Sequence, residues 1–270
     1  MITHHSKVDI FISKDLGNKS QTPFVFLHGF TGSSKSWIEV IRHIDHPYII
    51  VDLPGHSKSL FNHNNLIYTF NEWTDDLKNI LDELEILNIK LCGYSMGGRL
   101  AVAFANKYPM AVKEIFIESA HLGIKNISDK KDRLREDISL INKIKTDFNL
   151  FLSDWEKLDM FKMQEHRNYK GWIMQNTIRK SQISDQLCIA LNSFSLGRMP
   201  EYYNYISQST IPIHIINGID DIKYIQHTKS LYVFNKHIYH HIIDKSYHNV
   251  HLENPMHYVK ILKKSNSYDL

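Results

Sequence analysis

The pentapeptide Gly93-Tyr94-Ser95-Met96-Gly97 constrains this chain more than any other segment. It follows a short apolar run, Ile89-Lys90-Leu91-Cys92, and opens an Ala-rich helical pattern from Arg99 to Tyr108. A G-x-S-x-G turn between strand and helix holds its serine in a strained conformation that presents Oγ above the sheet edge. Glycines flank it because a Cβ there would clash with the sharp turn. Ser95 is therefore a candidate nucleophile or base, with the Met96 amide as half of an oxyanion hole. The plainer alternative is a helix-capping serine.

Strand patterns alternate with helical ones around this turn, which favours a mostly parallel sheet with helices on both faces. Phe24-Val25-Phe26-Leu27 and Tyr48-Ile49-Ile50-Val51-Asp52 read as strands, and residues 36–43 between them as a helix. Residues 71–87 carry Trp73, Leu77, Ile80, Leu81 and Leu84 at helical spacing, with Asn71 as N-cap. Ile89 to Cys92 and Glu114 to Glu118 are the next strands, and strand chemistry resumes at residues 211–216 and 237–243. A terminal helix starts near Pro255, and the polar stretch from Lys263 to Leu270 is expected to fray. Between these blocks the texture changes to charged and amphipathic. Residues 1–124 and 206–270 thus read as an α/β core, and 125–205 as an inserted helical cap.

A chain of 270 residues can bury a core of that size as one large domain with an insertion. Its net charge of +3 leaves no electrostatic footprint for nucleic acid, and its 17 histidines add charge only below about pH 6.5. The two cysteines, Cys92 and Cys188, make no disulfide framework and are expected to be reduced thiols. Residues 1–7 show no apolar leader, and no apolar run reaches the roughly 18 residues of a membrane span. The expectation is a soluble, cytoplasmic protein of unstated oligomeric state.

A serine elbow needs a base and an orienting acid. Gly218-Ile219-Asp220-Asp221 follows the penultimate strand, and the Gly-x-x-Asp spacing favours Asp221 over Asp220, whose alternative is a turn cap. His248 follows the last strand, with His251 as its rival one helical turn on. The order Ser95, Asp221, His248 is the one α/β-hydrolases use: His248 would take the serine proton while Asp221 fixes its tautomer. His28-Gly29-Phe30 closes the first apolar strand, where the Phe30 N–H would supply the second oxyanion donor. The other histidines, His4-His5 and His240-His241 among them, lack metal-ligand spacing and read as surface residues.

Arg99 adds a substrate preference. One helical turn after Ser95, it puts a guanidinium beside a wall that esterases keep small and apolar. A buried arginine needs an anionic partner. That partner is either a core carboxylate or a carboxylate of the substrate.

These residues bring the chain to a family. It resembles 2-succinyl-6-hydroxy-2,4-cyclohexadiene-1-carboxylate synthase, the MenH family of menaquinone biosynthesis, an α/β-hydrolase fold with an inserted helical lid, used as a lyase. The resemblance runs nearly end to end through His28-Gly29-Phe30-Thr31-Gly32-Ser33, Asp52-Leu53-Pro54-Gly55-His56, Gly93 to Arg99, Glu118-Ser119-Ala120-His121-Leu122-Gly123-Ile124, Trp155-Glu156-Lys157-Leu158, and Tyr247-His248-Asn249-Val250-His251-Leu252-Glu253-Asn254-Pro255. It implies a triad of Ser95, Asp221 and His248 and substrate-binding arginines at Arg99, Arg133 and Arg179. Arg135 is the neighbour that could replace Arg133, and a solvated position is the alternative for Arg179. Tyr94, Trp155 and His28 fall at positions lining that site. Two stretches depart from the family pattern: Ser57 stands where a glycine is usual, and Ser195-Leu196-Gly197-Arg198-Met199 matches only loosely.

The family substrate carries three carboxylates, which accounts for several arginines around one serine. Its reaction needs no cofactor and no metal. The competing readings are a carboxylesterase or C–C bond hydrolase acting on an anionic substrate, and a non-catalytic ligand receptor on the same fold.

Overall fold

Eight strands make one sheet in a computed structural model that describes residues 1–17, 20–63, 67–229, 231 and 235–265. They are β1 (Ile2–His4), β2 (Asp9–Asp15), β3 (Phe24–Leu27), β4 (Tyr48–Val51), β5 (Ile89–Tyr94), β6 (Val112–Glu118), β7 (Ile213–Gly218) and β8 (Ile238–Ile243). Their order across the sheet is β1-β2-β4-β3-β5-β6-β7-β8. β2 is antiparallel to both β1 and β4, and every later junction is parallel. The chain runs outward from β3 to β4 and then returns past β3 to form β5. The carboxyl ends of β3 and β5 are thus a switch point, where open α/β sheets place their ligands.

Both faces of the central strands are covered, which is why they read as unbroken apolar runs. In β3 all four side chains are buried. Val25 and Leu27 join the core under α2 (Phe70–Glu83) and α3 (Met96–Lys107). Phe24 and Phe26 join Trp37, Val40, Tyr258 and Leu262 on the opposite face, under α1 (Ile38–Ile41) and the terminal helix. Each such aromatic contributes about 2–3 kcal/mol from burial.

Between β6 and β7 lie α4 (Ile127–Thr146), α5 (Phe148–Glu156), α6 (Gln164–Arg167), α7 (Tyr169–Lys180), α8 (Ser184–Ser193) and α9 (Tyr203–Gln208). Side-chain amides tie α7, α8 and the turn between them to loops far earlier in the chain. Gln175 Oε1 accepts from Ser36 Oγ–H, and Gln182 accepts from Ser57 N–H and donates to Gly32 O. Gln186 bonds both backbone groups of Phe61, and Ser193 Oγ accepts from Tyr68 N–H. The fold closes with α10 (Ile222–Thr228), α11 (Val250–Glu253) and α12 (Pro255–Ser265).

Several expectations need correction. The first two strands were not anticipated; Asp9–Asp15 buries only Ile10 and Ile12, too short an alternation to stand out beside its polar flanks. In place of the helix expected at 36–43 stand a 3-10 turn, Ser34–Trp37, and the single turn α1, which ends at Ile41. The cap of α2 is Thr69, whose hydroxyl accepts from Glu72 N–H while Glu72 returns a bond to Thr69 N–H. Asn71 lies inside the helix and accepts from the Lys107 ammonium. His240 and His241 are half-buried: His240 bonds Asn217, and His241 bonds His214, which in turn bonds Glu114. His5 is held by Thr3 and Asp76. α12 stays helical through Ser265, and the rest of the expected frayed tail, residues 266–270, lies outside the described residues.

Thr69→Ala should lower unfolding free energy by about 1 kcal/mol, the usual loss for a side-chain N-cap. Asn71→Ala should cost clearly less. Urea unfolding of the two variants side by side checks the reassignment of the cap.

Candidate active site

Ser95 sits between β5 and α3 with φ +50° and ψ −107°, a conformation that a non-glycine residue holds only under constraint. Its N–H is fixed to Glu118 O at 2.9 Å. The two glycines are required by close approach. A Cβ on Gly97 would lie 2.5 Å from His28 O, and one on Gly93 would lie 2.5 Å from Gly97 O. The start of α3 is thereby pressed against the end of β3.

His248 and Asp221 arrive from the loops after β8 and β7. His248 Nε2 is 3.2 Å from Ser95 Oγ, and its Nδ1 is 3.0 Å from Asp221 Oδ2. Both side chains are almost wholly buried. With the Asp221 carboxylate accepting from Nδ1–H, Nε2 is left to accept the serine proton, an arrangement that can activate the hydroxyl. Asp220 is no turn cap: it is half-exposed and paired with Arg167. His251 takes no part as a base. Its Nδ1–H donates to Glu118 Oε2 at 2.8 Å, and its ring stacks on Trp37 at 3.9 Å.

The two candidate oxyanion amides follow from register. Leu27 pairs with Gly93 across β3 and β5, and Phe30 and Met96 each come three residues later. Met96 opens α3, so its N–H has no acceptor within the helix. His28, expected at the substrate, is fully buried behind this loop. Its Nδ1–H donates to Gly29 O at 2.8 Å, and its Nε2 accepts from Leu53 N–H at 2.9 Å. Both nitrogens are spent on backbone, so His28 pins the Gly29-Phe30 loop to the Leu53-Pro54-Gly55 turn and leaves no ring nitrogen for a ligand. Ser57, the departure from glycine, has φ +52°, which explains why glycine suits that position. The bond from its N–H to Gln182 Oε1 holds it at 2.9 Å.

The three arginines differ in their partners. Arg99 is buried and donates from Nη1 to Phe194 O at 2.7 Å, and no carboxylate among the described residues pairs with it. Burial first, and the charge of Arg133 second, lower its pKa to about 10. Arg133 on α4 is one-third exposed and donates from Nε to Asp137 Oδ1 at 3.0 Å, while Ser195 Oγ–H donates to the other oxygen of Asp137. Arg135 pairs with Asp132 on the exposed side and does not replace it. Arg179 is only 2% exposed, so the solvated alternative fails. It donates to Asn176 Oδ1, lies 4.0 Å from Glu156, and sits 4.9 Å over the Phe161 ring. Burial lowers its pKa as well, with Tyr94 and Glu156 opposing.

Aromatic rings complete the surroundings. Trp155 packs edge-on against Phe30 at 5.6 Å, and Tyr94 against His248 at 5.4 Å. Phe161 and Tyr224 also pack on His248, at 6.2 and 4.7 Å. Neither was singled out from the sequence; Tyr224 lies three residues past Asp221, a spacing that fixes it to the acid's own helix but carries no motif. Arg198 is exposed and bonds Asn192. Among the described residues no group of three or more His, Cys, Asp or Glu could hold a metal ion. No helix there is long and apolar enough to cross a membrane.

Burial holds His28 neutral down to about 4 and His56, stacked edge-on against it, down to about 3, from an ordinary 6.5. The unfolded chain protonates both below 6.5 while the folded chain cannot. Stability fully present above pH 6.5 should therefore fall as pH drops from 6.5 toward 4. Urea unfolding across that range should show net proton uptake on unfolding, reduced in His56→Gln.

Residues 22–255 match the family model of the alpha/beta hydrolase fold. A Bacillus subtilis (strain 168) protein provisionally named 2-succinyl-6-hydroxy-2,4-cyclohexadiene-1-carboxylate synthase is 30% identical over 93% of this chain and 92% of its own. The synthase of that name from Enterobacter sp. (strain 638) is 28% identical over 86% of both chains. Among solved structures, MenH from S. aureus superposes with a TM-score of 0.85 at 25% identity, covering 96% of this chain and 97% of the other. The chain belongs to the 2-succinyl-6-hydroxy-2,4-cyclohexadiene-1-carboxylate synthase (MenH) family of enzymes with the α/β-hydrolase fold.

Proposed function

We propose that the protein is a carbon–oxygen lyase of menaquinone biosynthesis. It eliminates pyruvate from 2-succinyl-5-enolpyruvyl-6-hydroxy-3-cyclohexene-1-carboxylate to give 2-succinyl-6-hydroxy-2,4-cyclohexadiene-1-carboxylate, in the cytoplasm and with residues 125–205 as its cap. The observation that carries this reading is Arg99, a buried guanidinium one turn from Ser95 that donates to a carbonyl oxygen and has no carboxylate paired with it among the described residues. Leaving such a charge without an anion costs several kcal/mol, and a substrate carboxylate is the anion that removes the cost. Arg133 and Arg179 supply charge for the other two carboxylates.

Chemically, the hydrogen alpha to the succinyl ketone is the acidic one. Ser95, its proton drawn toward His248 Nε2, removes that ring proton, and Asp221 stabilises the imidazolium. Negative charge develops on the ketone oxygen, where the Phe30 and Met96 amides would each contribute about 3 kcal/mol. The electron pair then moves through the 3-ene, breaking the ring carbon–oxygen bond and leaving the 2,4-diene. The departing enolpyruvate takes a proton and tautomerises to pyruvate. No acyl-enzyme forms, and no cofactor is consumed.

Pyruvate release should be measured on substrate generated in situ by the preceding pathway enzyme, with spontaneous elimination subtracted. Ser95→Ala should lose on the order of 10³-fold or more. Arg99→Ala should lose roughly a hundredfold with its unfolding transition intact. Release no faster than background in the unaltered protein would overturn the lyase reading and favour a hydrolase of anionic esters or diketones.

A further inference from the structure

Arg167, the last residue of α6, reaches out of the helical segment toward the two loops that carry the acid and the base. Its Nη1–H donates to Glu253 Oε2 at 2.6 Å, and its Nη2–H donates to the carboxylate of Asp220. Asp220 is the residue before Asp221, and its own N–H donates to Ser246 O at 3.1 Å. Glu253 Oε2 also accepts from Tyr247 N–H at 2.9 Å, next to His248. One planar guanidinium thus bridges the acid loop and the base loop, a task that suits its fixed fork of donors. The same segment supplies Phe161, which packs on His248 and lies under the guanidinium of Arg179.

We propose that Arg167 is a positioning residue, which clamps the Asp221 and His248 loops to the helical segment and so sets the orientation and basicity of His248. The proposal rests on Ser95, Asp221 and His248 being the working triad. Arg167 touches no reacting atom in this scheme and acts through Asp220 and Glu253.

The charged and titratable groups around the clamp define what its loss should do. Glu253 is buried, and its pKa is raised by burial and by Glu118 on β6 against the pull of Arg167. Asp159 and Lys162 face Tyr247 from the segment before α6. His248 is faced by Ser95 and Tyr94 at the end of β5, by Asp221, and by Tyr224 on α10. Removing Arg167 takes a positive charge from this neighbourhood and leaves two carboxylates without their cation. The loss of that positive charge favours the imidazolium, so His248 in the variant should take its proton at a higher pH than in the unaltered protein.

Three measurements test this on the full chain. In Arg167→Ala, kcat for pyruvate release should fall roughly ten- to a hundredfold, the range for a small displacement of catalytic groups, with KM nearly unchanged. The acidic limb of its kcat/KM profile should move to higher pH. Arg167→Lys keeps the charge but not the fork, so the limb should stay in place while kcat recovers in part. Titration of the His248 ring by NMR, which needs no substrate, should show the same rise in Arg167→Ala and none in Arg167→Lys. A folded Arg167→Ala protein with wild-type kcat and an unmoved His248 titration would overturn the proposal. So would an Ala variant that loses only thermal stability. If the unaltered protein released no pyruvate, the functional reading would fail, and the NMR titration would still decide whether Arg167 tunes His248.

Discussion

Everything about this site depends on how closely α3 is pressed against β3. Gly97 lets the helix backbone meet Leu27 and His28 with no side chain between, and Gly93 lets the strand turn back on itself. Because of that contact Ser95 is forced into its left-handed conformation, with Met96 opening the helix beside the loop that carries Phe30. A larger residue at either glycine would push the helix away from the strand. The serine, the candidate oxyanion amide of Met96 and Arg99, all on or next to α3, would move with it.

The site concentrates positive charge in a setting that resists it. Arg99 and Arg179 are buried, and burial is the chief reason each holds its proton less tightly than usual. His121, near Arg99 and Arg133, is pushed down to about 3 by burial first and then by the charges of His227 and these arginines. On the proposed reading, such a concentration of positive charge would suit an acid with several negative groups better than a neutral ester. Folding carries this electrostatic cost, which on the proposed reading a substrate carboxylate would relieve.

The parts of the molecule legible in the sequence were those fixed by local pattern. Phe24 to Leu27 announced itself because both faces are buried, and Ser95, Asp221 and His248 because motif and chain order coincide. What escaped was set by contacts across long stretches of chain. The exception is Thr69, which caps α2 two residues before Asn71 through a local pair of bonds with Glu72. Tyr224 meets His248 only because β7 and β8 are neighbours in the sheet, and Arg167 is one of many charged residues in a stretch whose texture reads only as helical. His28 was misjudged for the opposite reason. Its motif is genuine, but its ring turns inward to backbone groups, held by Leu53 far along the chain as well as by its neighbour Gly29.

The hydrogen bonds made by the side chains of Gln182, Gln186 and Ser193 bear on how a ligand gets in. They join α8 and the turn before it to loops more than a hundred residues earlier, and each is worth about 1 kcal/mol or more where it is buried. Swinging α8 away as a rigid flap would break them all together and expose the backbone of Phe61 and Tyr68. That wall is effectively part of the foundation. Displacing α8 to admit a ligand would forfeit all of these bonds at once, whereas the movement of a side chain outside this set would forfeit none, so ligand exchange should resemble a turnstile more than a door.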